Sequence, residues 1–126
     1  MGPIQTTPTH EQGYHDQHLE LDFEHKTALL DAKPLGLTRK EYELLALLIQ
    51  NAGEVVTREA LLLRVWGYTN QIRTRTLDVH IRRLRKKLGE HSSSYIETIF
   101  SVGYRFQPFR TPRFVPIAPQ MMAFSA

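Results

Sequence analysis

Apolar and acidic side chains alternate from residue 19 to residue 24 (LELDFE), which is the two-residue period of a strand with one buried face. Residues 25–26 can turn the chain, and residues 27–30 (TALL) are predicted to form a second strand. Pro34 suits a short edge strand, because a proline has no N–H to donate to a neighbouring strand. This part of the chain therefore predicts an antiparallel sheet.

The pattern then changes to helical spacing. Residues 38–41 (TRKE) form a capping box, in which the first and last side chains each satisfy a backbone amide of the other residue. Apolar residues at helical spacing continue this first helix until Gly53. Thr57 can cap a second helix, which is predicted from Arg58 to about Trp66.

A third helix is predicted from Thr74 or Thr76 to Leu88, and a polar, serine-rich connection follows it. Residues 95–100 and 104–107 are β-type runs separated by a short turn, which indicates a hairpin. Strands, three short helices and a hairpin, with a brief loop between the second and third helices, predict an α+β winged helix-turn-helix fold.

Composition divides the 126 residues into three regions. Residues 1–17 are polar with little apolar content, so we expect a disordered linker or an expression remnant. Residues 18–108 are the predicted winged-helix domain, which has the size of one ordinary domain. Residues 109–126 form a proline-containing apolar tail, whose order the pattern does not decide.

Several classes of protein are excluded by what the chain lacks. It has no apolar run long enough to span a membrane and no signal-peptide core, so no membrane partner is expected. It has no cysteine, which fits a reducing cytoplasmic location. Neither an acid pair, nor a nucleophile with a base, nor a glycine-rich phosphate loop is present, so the chain is not expected to be an enzyme.

Histidines are frequent near the start of the chain, at positions 10, 15, 18 and 25. Their spacing is irregular, and no cysteine or acidic partner is placed with them as in known metal sites. We therefore expect no metal site and no cofactor.

Charge is distributed unevenly along the chain. Residues 72–88 hold seven basic residues and one acidic residue, a net charge of +6, whereas the remainder carries −3. A mildly acidic body with one basic segment points to a polyanionic partner such as nucleic acid. The alternative explanation of such a run is a solvated helix face.

Helical geometry separates two sides of the basic segment. At ~100° per residue, one narrow arc is apolar and is the predicted core seam: Leu77, Ile81, Leu84 and Leu88. The opposite arc holds Arg75, Val79, Arg82, Arg83 and Lys86. A solvated face would carry both signs, paired four residues apart, and only Asp78 offers such a pair, to Arg82. The shortage of acidic residues on this helix therefore favours DNA binding over a solvated face.

Side chains suited to base edges lie on this helix. Arg83 or Arg82 can donate two hydrogen bonds to guanine O6 and N7. Val79 can meet a thymine methyl group, and Asp78 can accept from a cytosine amine or orient Arg82. Thr76 lies near the helix N-terminus, the end that usually meets base edges.

Other side chains suit the DNA backbone, which sets register and affinity without reading sequence. On the third helix these are Arg75, His80, Arg85 and Lys87. Trp66 can donate its indole N–H to a phosphate or can serve only as a packing residue. Thr98 and Tyr104 on the hairpin can donate through their hydroxyl groups.

Several motifs, spread over most of the chain, are together specific for one protein family. The chain resembles the effector domain of the OmpR/PhoB family of response regulators over about residues 19–107. The motifs that carry the resemblance are LT-x-x-E at 37–41, LL at 44–45, VVTRE at 55–59, LL at 61–62, VWG at 65–67, RTLDVHIRRLRKKL at 75–88 and GYRF at 103–106.

The resemblance implies a winged helix whose third helix enters the major groove while the hairpin wing approaches the minor groove. It implies binding to direct repeats in double-stranded DNA as a head-to-tail dimer of a protein that is a monomer in isolation. The loop of about residues 67–73 would be where relatives touch RNA polymerase, here through Tyr68, Thr69, Asn70 and Gln71.

Positions carried over from the family agree largely with the chemistry above. The residues that would face bases are Thr76, Asp78, Val79 and Arg83. Those that would face the backbone are Trp66, Arg75, His80, Arg82, Arg85, Thr98 and Tyr104.

Two features depart from the family. The receiver domain with its phosphorylated aspartate is absent, and we expect a fragment, because residues 1–17 resemble a severed linker. The wing carries Phe100 where relatives often have Arg-Gly. We expect Phe100 to pack inward, with a wedge at a base step as the alternative, and so weaker minor-groove readout, which Arg105 or Arg110 would offset.

The competing function is a protein-interaction adaptor that binds RNA polymerase through the winged-helix fold without reading DNA. It would be favoured if loss of the Arg83 side chain left promoter binding intact.

Overall fold

The computed structural model describes residues 9–10, 12–67 and 74–109, with side chains from 12–67 and 75–109. The N-terminal sheet has five antiparallel strands in sequence order. They are β1 (Thr9–His10), β2 (Gly13–His15), β3 (Leu19–Asp22), β4 (Thr27–Leu30) and β5 (Lys33–Pro34). The two predicted strands and the proline-containing edge strand are confirmed.

The expectation that residues 1–17 form an unstructured linker is wrong for the part that the structure describes. Tyr14 of β2 is 1% exposed and its ring meets Phe106 edge-on at 5.4 Å. Its hydroxyl donates to Asp16, whose carboxylate also accepts from the Tyr95 hydroxyl at 2.8 Å and from the Leu19 amide at 2.8 Å. One aromatic anchor and one shared carboxylate order this segment, and neither leaves a periodic pattern.

Three helices follow as predicted: α1 (Arg39–Gln50), α2 (Arg58–Trp66) and α3 (Thr74–Leu88). The capping box of α1 is complete, with Thr38 accepting from the Glu41 amide and Glu41 accepting from the Thr38 amide. Thr57 caps α2 and Gly67 ends it with a φ of 78°. Local chemistry therefore determines these helix ends.

The second sheet has three antiparallel strands in the order β6–β8–β7. These are β6 (Val55–Thr57), β7 (Ile96–Ile99) and β8 (Gly103–Phe106). Strands β7 and β8 are the predicted hairpin, whereas β6 was not predicted, because three residues with little burial show no period. A side chain at Gly103 would lie 2.0 Å from the Val56 carbonyl oxygen, so only glycine allows β8 to approach β6.

The polar connection predicted after α3 is helical instead. A 3-10 turn (Gly89–His91) leads into α4 (Ser92–Tyr95). Tyr95 is fully buried and stacks on Phe106 at 5.4 Å, which holds this short helix against the hairpin. Tertiary packing thus overrides the turn-forming preference of the serines.

A single apolar core joins both sheets to the helices. It is built from the β2–β4 strands, most of α1, and one side each of α2, α3 and the hairpin. Within the described ranges, no helix is long and apolar enough to cross a membrane. The arrangement leaves one side of α3 and the tip of the hairpin on the surface.

Candidate nucleic-acid interface

The predicted seam of α3 is buried throughout. Leu77, Leu84 and Leu88 are fully buried and Ile81 is 1% exposed. Four apolar side chains removed from water over about three turns fix the rotation of the helix about its axis. Whatever lies opposite this seam must therefore face solvent.

The opposite side, here called the outer arc, consists of Arg75, Val79, Arg82, Arg83 and Lys86. Its four cationic side chains are exposed, and Val79 is half-buried. None of the four has a hydrogen bond or an ion pair with any residue in 12–67 or 75–109. A shallow depression lined by Arg75, Asp78, Val79 and Arg82 runs along this surface. The outer arc is thus a band of positive charge that the fold does not neutralise.

Asp78, which was predicted to contact a base or to orient Arg82, pairs with two other residues of the protein. Its two carboxylate oxygens accept from both terminal nitrogens of Arg58, at 2.9 and 3.0 Å, and from the Tyr104 hydroxyl at 3.0 Å. The predicted orientation of Arg82 is replaced by this junction, which ties the start of α2 and strand β8 to α3. Hydrogen bonding to Arg58 holds the pKa of Asp78 below its usual range, so the carboxylate is charged at neutral pH.

Tyr104, which was predicted to donate to a phosphate, makes a hydrogen bond within the protein in this structure. The residue is 5% exposed, and its hydroxyl already donates to Asp78. Burial, with the nearby Asp78 carboxylate, raises the pKa of Tyr104. Sequence reasoning missed Arg58 because its partner lies 20 positions away.

Arg85 lies on the same flank of α3 and anchors the wing. Its Nη2 donates to the Ile96 carbonyl oxygen at 2.9 Å and to the Thr98 hydroxyl oxygen at 2.7 Å. The guanidinium also lies over the Tyr104 ring, 5.7 Å from its centre. A phosphate contact by Arg85 therefore depends on its other nitrogens, while Thr98 keeps an exposed hydroxyl proton.

Trp66 and His80 meet on the opposite flank. Their rings are 4.9 Å apart in an edge-to-face arrangement, and both residues are half-buried. His80 donates from Nδ1 to the Thr76 carbonyl oxygen at 2.8 Å, which leaves Nε2 as the nitrogen able to bind a further partner. Packing thus links the end of α2 to the first half of α3.

Lys87 does not flank the outer arc as predicted. Its amino group donates to Glu41 at 2.6 Å and to the Gly36 carbonyl oxygen at 2.7 Å. Burial of Glu41 opposes ionisation, but the hydrogen bond from Lys87, with that from Thr38, lowers the pKa of Glu41 overall. Lys87 is therefore a structural residue that neutralises a carboxylate only 2% exposed.

The wing tip also differs from the expectation. Phe100 was expected to pack inward, yet it is 88% exposed. It lies in a tight turn in which the Val102 amide donates to the Ile99 carbonyl oxygen at 2.9 Å and Ser101 has a φ of 66°. A turn this short projects Phe100 beyond the last strand pair, so the ring cannot fold back onto the core.

Arg105 is not free to offset this change. Its Nε and Nη2 donate to Glu97 at 2.9 and 2.8 Å across the hairpin. Arg110, the other candidate, lies outside the described residues, as do Tyr68, Thr69, Asn70 and Gln71 of the predicted polymerase loop.

Comparison with known proteins identifies relatives of this chain. The family model described as "Transcriptional regulatory protein, C terminal" matches residues 32–106. The transcriptional regulatory protein SrrA of Staphylococcus aureus is 43% identical over 94 residues, which cover 72% of this chain and 39% of SrrA. The chain spans well under half the length of such curated relatives, 36% to 39%.

Solved structures share the fold. The response regulator DrrB of Thermotoga maritima, an OmpR/PhoB homologue, superimposes with a TM-score of 0.71 at 37% identity, over 78% of this chain and 45% of DrrB. The DNA-binding domain of Klebsiella pneumoniae RstA, solved in complex with the RstA box, gives a TM-score of 0.69 at 29% identity, over 79% of this chain and 100% of that domain.

Proposed function

The chain belongs to the OmpR/PhoB-type transcriptional regulatory proteins as their C-terminal winged-helix DNA-binding domain, and we propose that α3 lies in the major groove with its outer arc turned to the bases. One observation carries this proposal. Four exposed cations without a partner in the described ranges stand opposite a fully buried seam. A helix fits the width of the major groove, and phosphates supply the charge that the fold does not.

Within the groove the roles follow from geometry and chemistry. Arg83 reads guanine through two parallel hydrogen bonds, and Val79 contacts a thymine methyl group. Thr76, whose side chain is only part-buried near the start of α3, reads a neighbouring base. Asp78 is a positioning residue, because Arg58 and Tyr104 occupy its carboxylate.

Phosphate contacts surround this reading surface. Arg75 and Arg82 lie at the edge of the outer arc, and Lys86 extends it toward the helix C-terminus. His80 can use its remaining ring nitrogen, and Trp66, packed against it, shields that contact from water. Such contacts set the register of α3 without reading sequence.

The wing adds an apolar contact. The exposed Phe100 ring is proposed to meet the minor groove and wedge against a base step, since apolar side chains there unstack bases and bend the duplex. Thr98, exposed on β7, donates to the adjacent phosphate. The wing would thus replace the electrostatic readout of an arginine with a preference for deformable steps.

The chain is proposed to act as the effector part of a two-component response regulator in the cytoplasm. It would bind direct repeats as a head-to-tail dimer and contact RNA polymerase through residues 68–71. The resemblance of its motifs to the family supports this wider role, and RstA bound to its DNA box is a related precedent.

Fluorescence anisotropy with a selected duplex and a random duplex, each at two salt concentrations, tests the DNA interface. We expect affinity to fall steeply with salt. Arg83→Ala should cost ~1–3 kcal/mol of discrimination between the two duplexes. Arg75→Ala should weaken both duplexes alike and reduce the salt slope by about 1.

Arg64→Ala is the matched control, because Arg64 is an exposed cation that belongs to α2 and is not part of the outer arc. It should leave both affinities within about twofold. A flat salt response, or an Arg83→Ala variant that retains full discrimination, would overturn the proposal and favour the adaptor function.

A further inference from the structure

Two histidines and an aspartate from three separate segments meet beside the C-terminal end of α3. His18 lies between β2 and β3, Asp31 follows β4, and His91 ends the 3-10 turn after α3. The Nδ1 of His18 is 2.6 Å from Asp31 Oδ1, and the Nε2 of His91 is 3.4 Å from Asp31 Oδ2. One atom from each residue lies within 4.8 Å of the other two.

Backbone hydrogen bonds fix the segments that carry His18 and Asp31, and ring contacts hold His91 beside them. The His18 amide donates to Asp16 at 2.7 Å, and the Asp31 amide donates to the His18 carbonyl oxygen at 2.7 Å. The two imidazole rings stack at 4.2 Å, and Phe109 meets the His18 ring edge-on at 4.5 Å. The side chains of His18 and His91 are 23% and 16% exposed and that of Asp31 is 51% exposed, so the two imidazoles are mostly shielded while the carboxylate is open to solvent.

We propose that His18, Asp31 and His91 bind one divalent transition-metal ion, with Zn²⁺ the best match. Two imidazole nitrogens and one carboxylate oxygen suit zinc and its neighbours, whereas calcium and magnesium prefer sites made wholly of oxygen. A zinc ion takes ligand atoms at ~2.0–2.2 Å in a tetrahedron, so each atom here moves by roughly 1 Å to reach it. Three protein ligands leave a fourth position for water.

The cluster lies apart from the proposed DNA interface. His91 follows the last turn of α3, whereas the proposed base-reading residues lie between Thr76 and Arg83, and the cluster is not part of the outer arc. Metal binding would clamp the N-terminal sheet to the segment that leads into the wing. Because an ion bound only by the folded state stabilises that state, the expected consequence is greater stability.

Sequence spacing gave no sign of this site. Histidines close to His18 in sequence do not complete the cluster, which a metal-binding motif within a short segment would have required. His25, for example, pairs with Asp22 at 2.8 Å on an exposed turn. The partner that completes the cluster, His91, is 60 positions from Asp31.

Zinc titration of the tag-free, chelator-treated full chain tests the proposal. At about a hundredfold excess of Zn²⁺ over its Kd, the Tm should rise by roughly 10 °C. Calorimetric titration should give one ion per chain. Co²⁺ should produce the stronger visible absorption that distinguishes tetrahedral from octahedral coordination.

His91→Ala and His18→Ala should abolish the Tm shift and the Co²⁺ absorption. Asp31→Asn, which keeps the shape of the side chain, should weaken Zn²⁺ binding at least about tenfold. His25→Ala is the control, because it removes a histidine paired with an aspartate outside the cluster, and it should bind Zn²⁺ like the parent.

Measurement of the parent chain decides the matter even if a variant folds poorly. No Tm shift and no Co²⁺ absorption would overturn the proposal and leave a histidine–aspartate ion pair. A shift that survives in both His18→Ala and His91→Ala would overturn it as well, because the ion would then be bound elsewhere.

Discussion

Lys86 and Lys87 are neighbours on one helix, yet they belong to different parts of the molecule. Lys86 is exposed on the outer arc and makes no ion pair with any residue in the described ranges. Lys87 points to α1, where it donates to the almost fully buried Glu41. A rotation of ~100° about the helix axis separates the two residues. It leaves the Lys86 charge exposed to solvent and pairs the Lys87 charge with a carboxylate inside the fold.

The same contrast divides the rest of α3. Arg82 and Arg83 face solvent, whereas Arg85 is held by the wing and Asp78 by Arg58. The net charge of a segment therefore overstates what it offers to DNA. In the proposed interface the exposed, unpaired cations of the outer arc set the affinity for DNA, whereas the paired residues of the flanks hold the helix and the wing in place.

Replacing Lys87 should have the largest effect on stability. Lys87→Met leaves the Glu41 carboxylate buried without its cation, which should reduce the free energy of unfolding by about 2–3 kcal/mol, at the low end for a buried pair because Lys87 is one-third exposed. Lys86→Met should change it by less than about 0.5 kcal/mol. Urea denaturation of both variants measures the difference.

DNA affinity should show the reverse order. Lys86→Met should weaken binding to random and selected duplexes alike. Folded Lys87→Met protein should keep the salt dependence of DNA affinity unchanged. Equal stability losses for the two variants would show that the contrast between these lysines is not real.

Asp78→Ala should have the next largest effect. It leaves Arg58 and the buried Tyr104 hydroxyl without their acceptor, so unfolding should become easier by about 2 kcal/mol. Binding to DNA should also weaken, because α3 and the wing lose their common tie. Denaturation and anisotropy measurements on the same preparation test both parts.

Asp78→Asn provides the finer comparison, since it keeps an acceptor for Tyr104 but removes the charge that Arg58 pairs with. If Asp78 were instead a base reader, either variant would alter sequence preference while stability stayed the same.

Replacing Phe100 should affect binding and spare the fold. Phe100→Ser removes an 88% exposed ring, so the free energy of unfolding should stay within about 0.5 kcal/mol. Loss of the base contact should weaken selected duplexes about fivefold, which is near 1 kcal/mol. Phe100→Trp should retain affinity. Binding that Phe100→Ser leaves unchanged would show that the wing tip makes no such contact.

The smallest expected effect is that of acidity on the free energy of unfolding, through the buried Glu41 carboxylate. The folded pKa of Glu41 is lowered, so its contribution to stability is complete above its unfolded pKa of about 4.3 and is lost as the pH falls through the folded value. The free energy of unfolding should therefore fall more steeply below pH ~4.3 in the parent than in Glu41→Gln. Parallel pH profiles would contradict this assignment.

Much of the fold is visible in the chain itself. Capping residues such as Thr38 and Thr57 act within one helical turn, and alternation in residues 19–24 needs only the strand period, so these boundaries were predicted closely. Strands β2 and β6 were missed, because Tyr14 and Val56 contribute single contacts without a repeating pattern.

For the DNA interface, the sequence by itself determined the buried seam and the outer arc of α3, because both follow from the helical period and the chemistry of side chains a few positions apart. Tertiary structure alone decided which flank charges remain available. Lys87 meets Glu41 across 46 positions, Tyr104 meets Asp78 across 26, and His91 meets Asp31 across 60. Such pairs form only when distant segments pack together, and no local period records them.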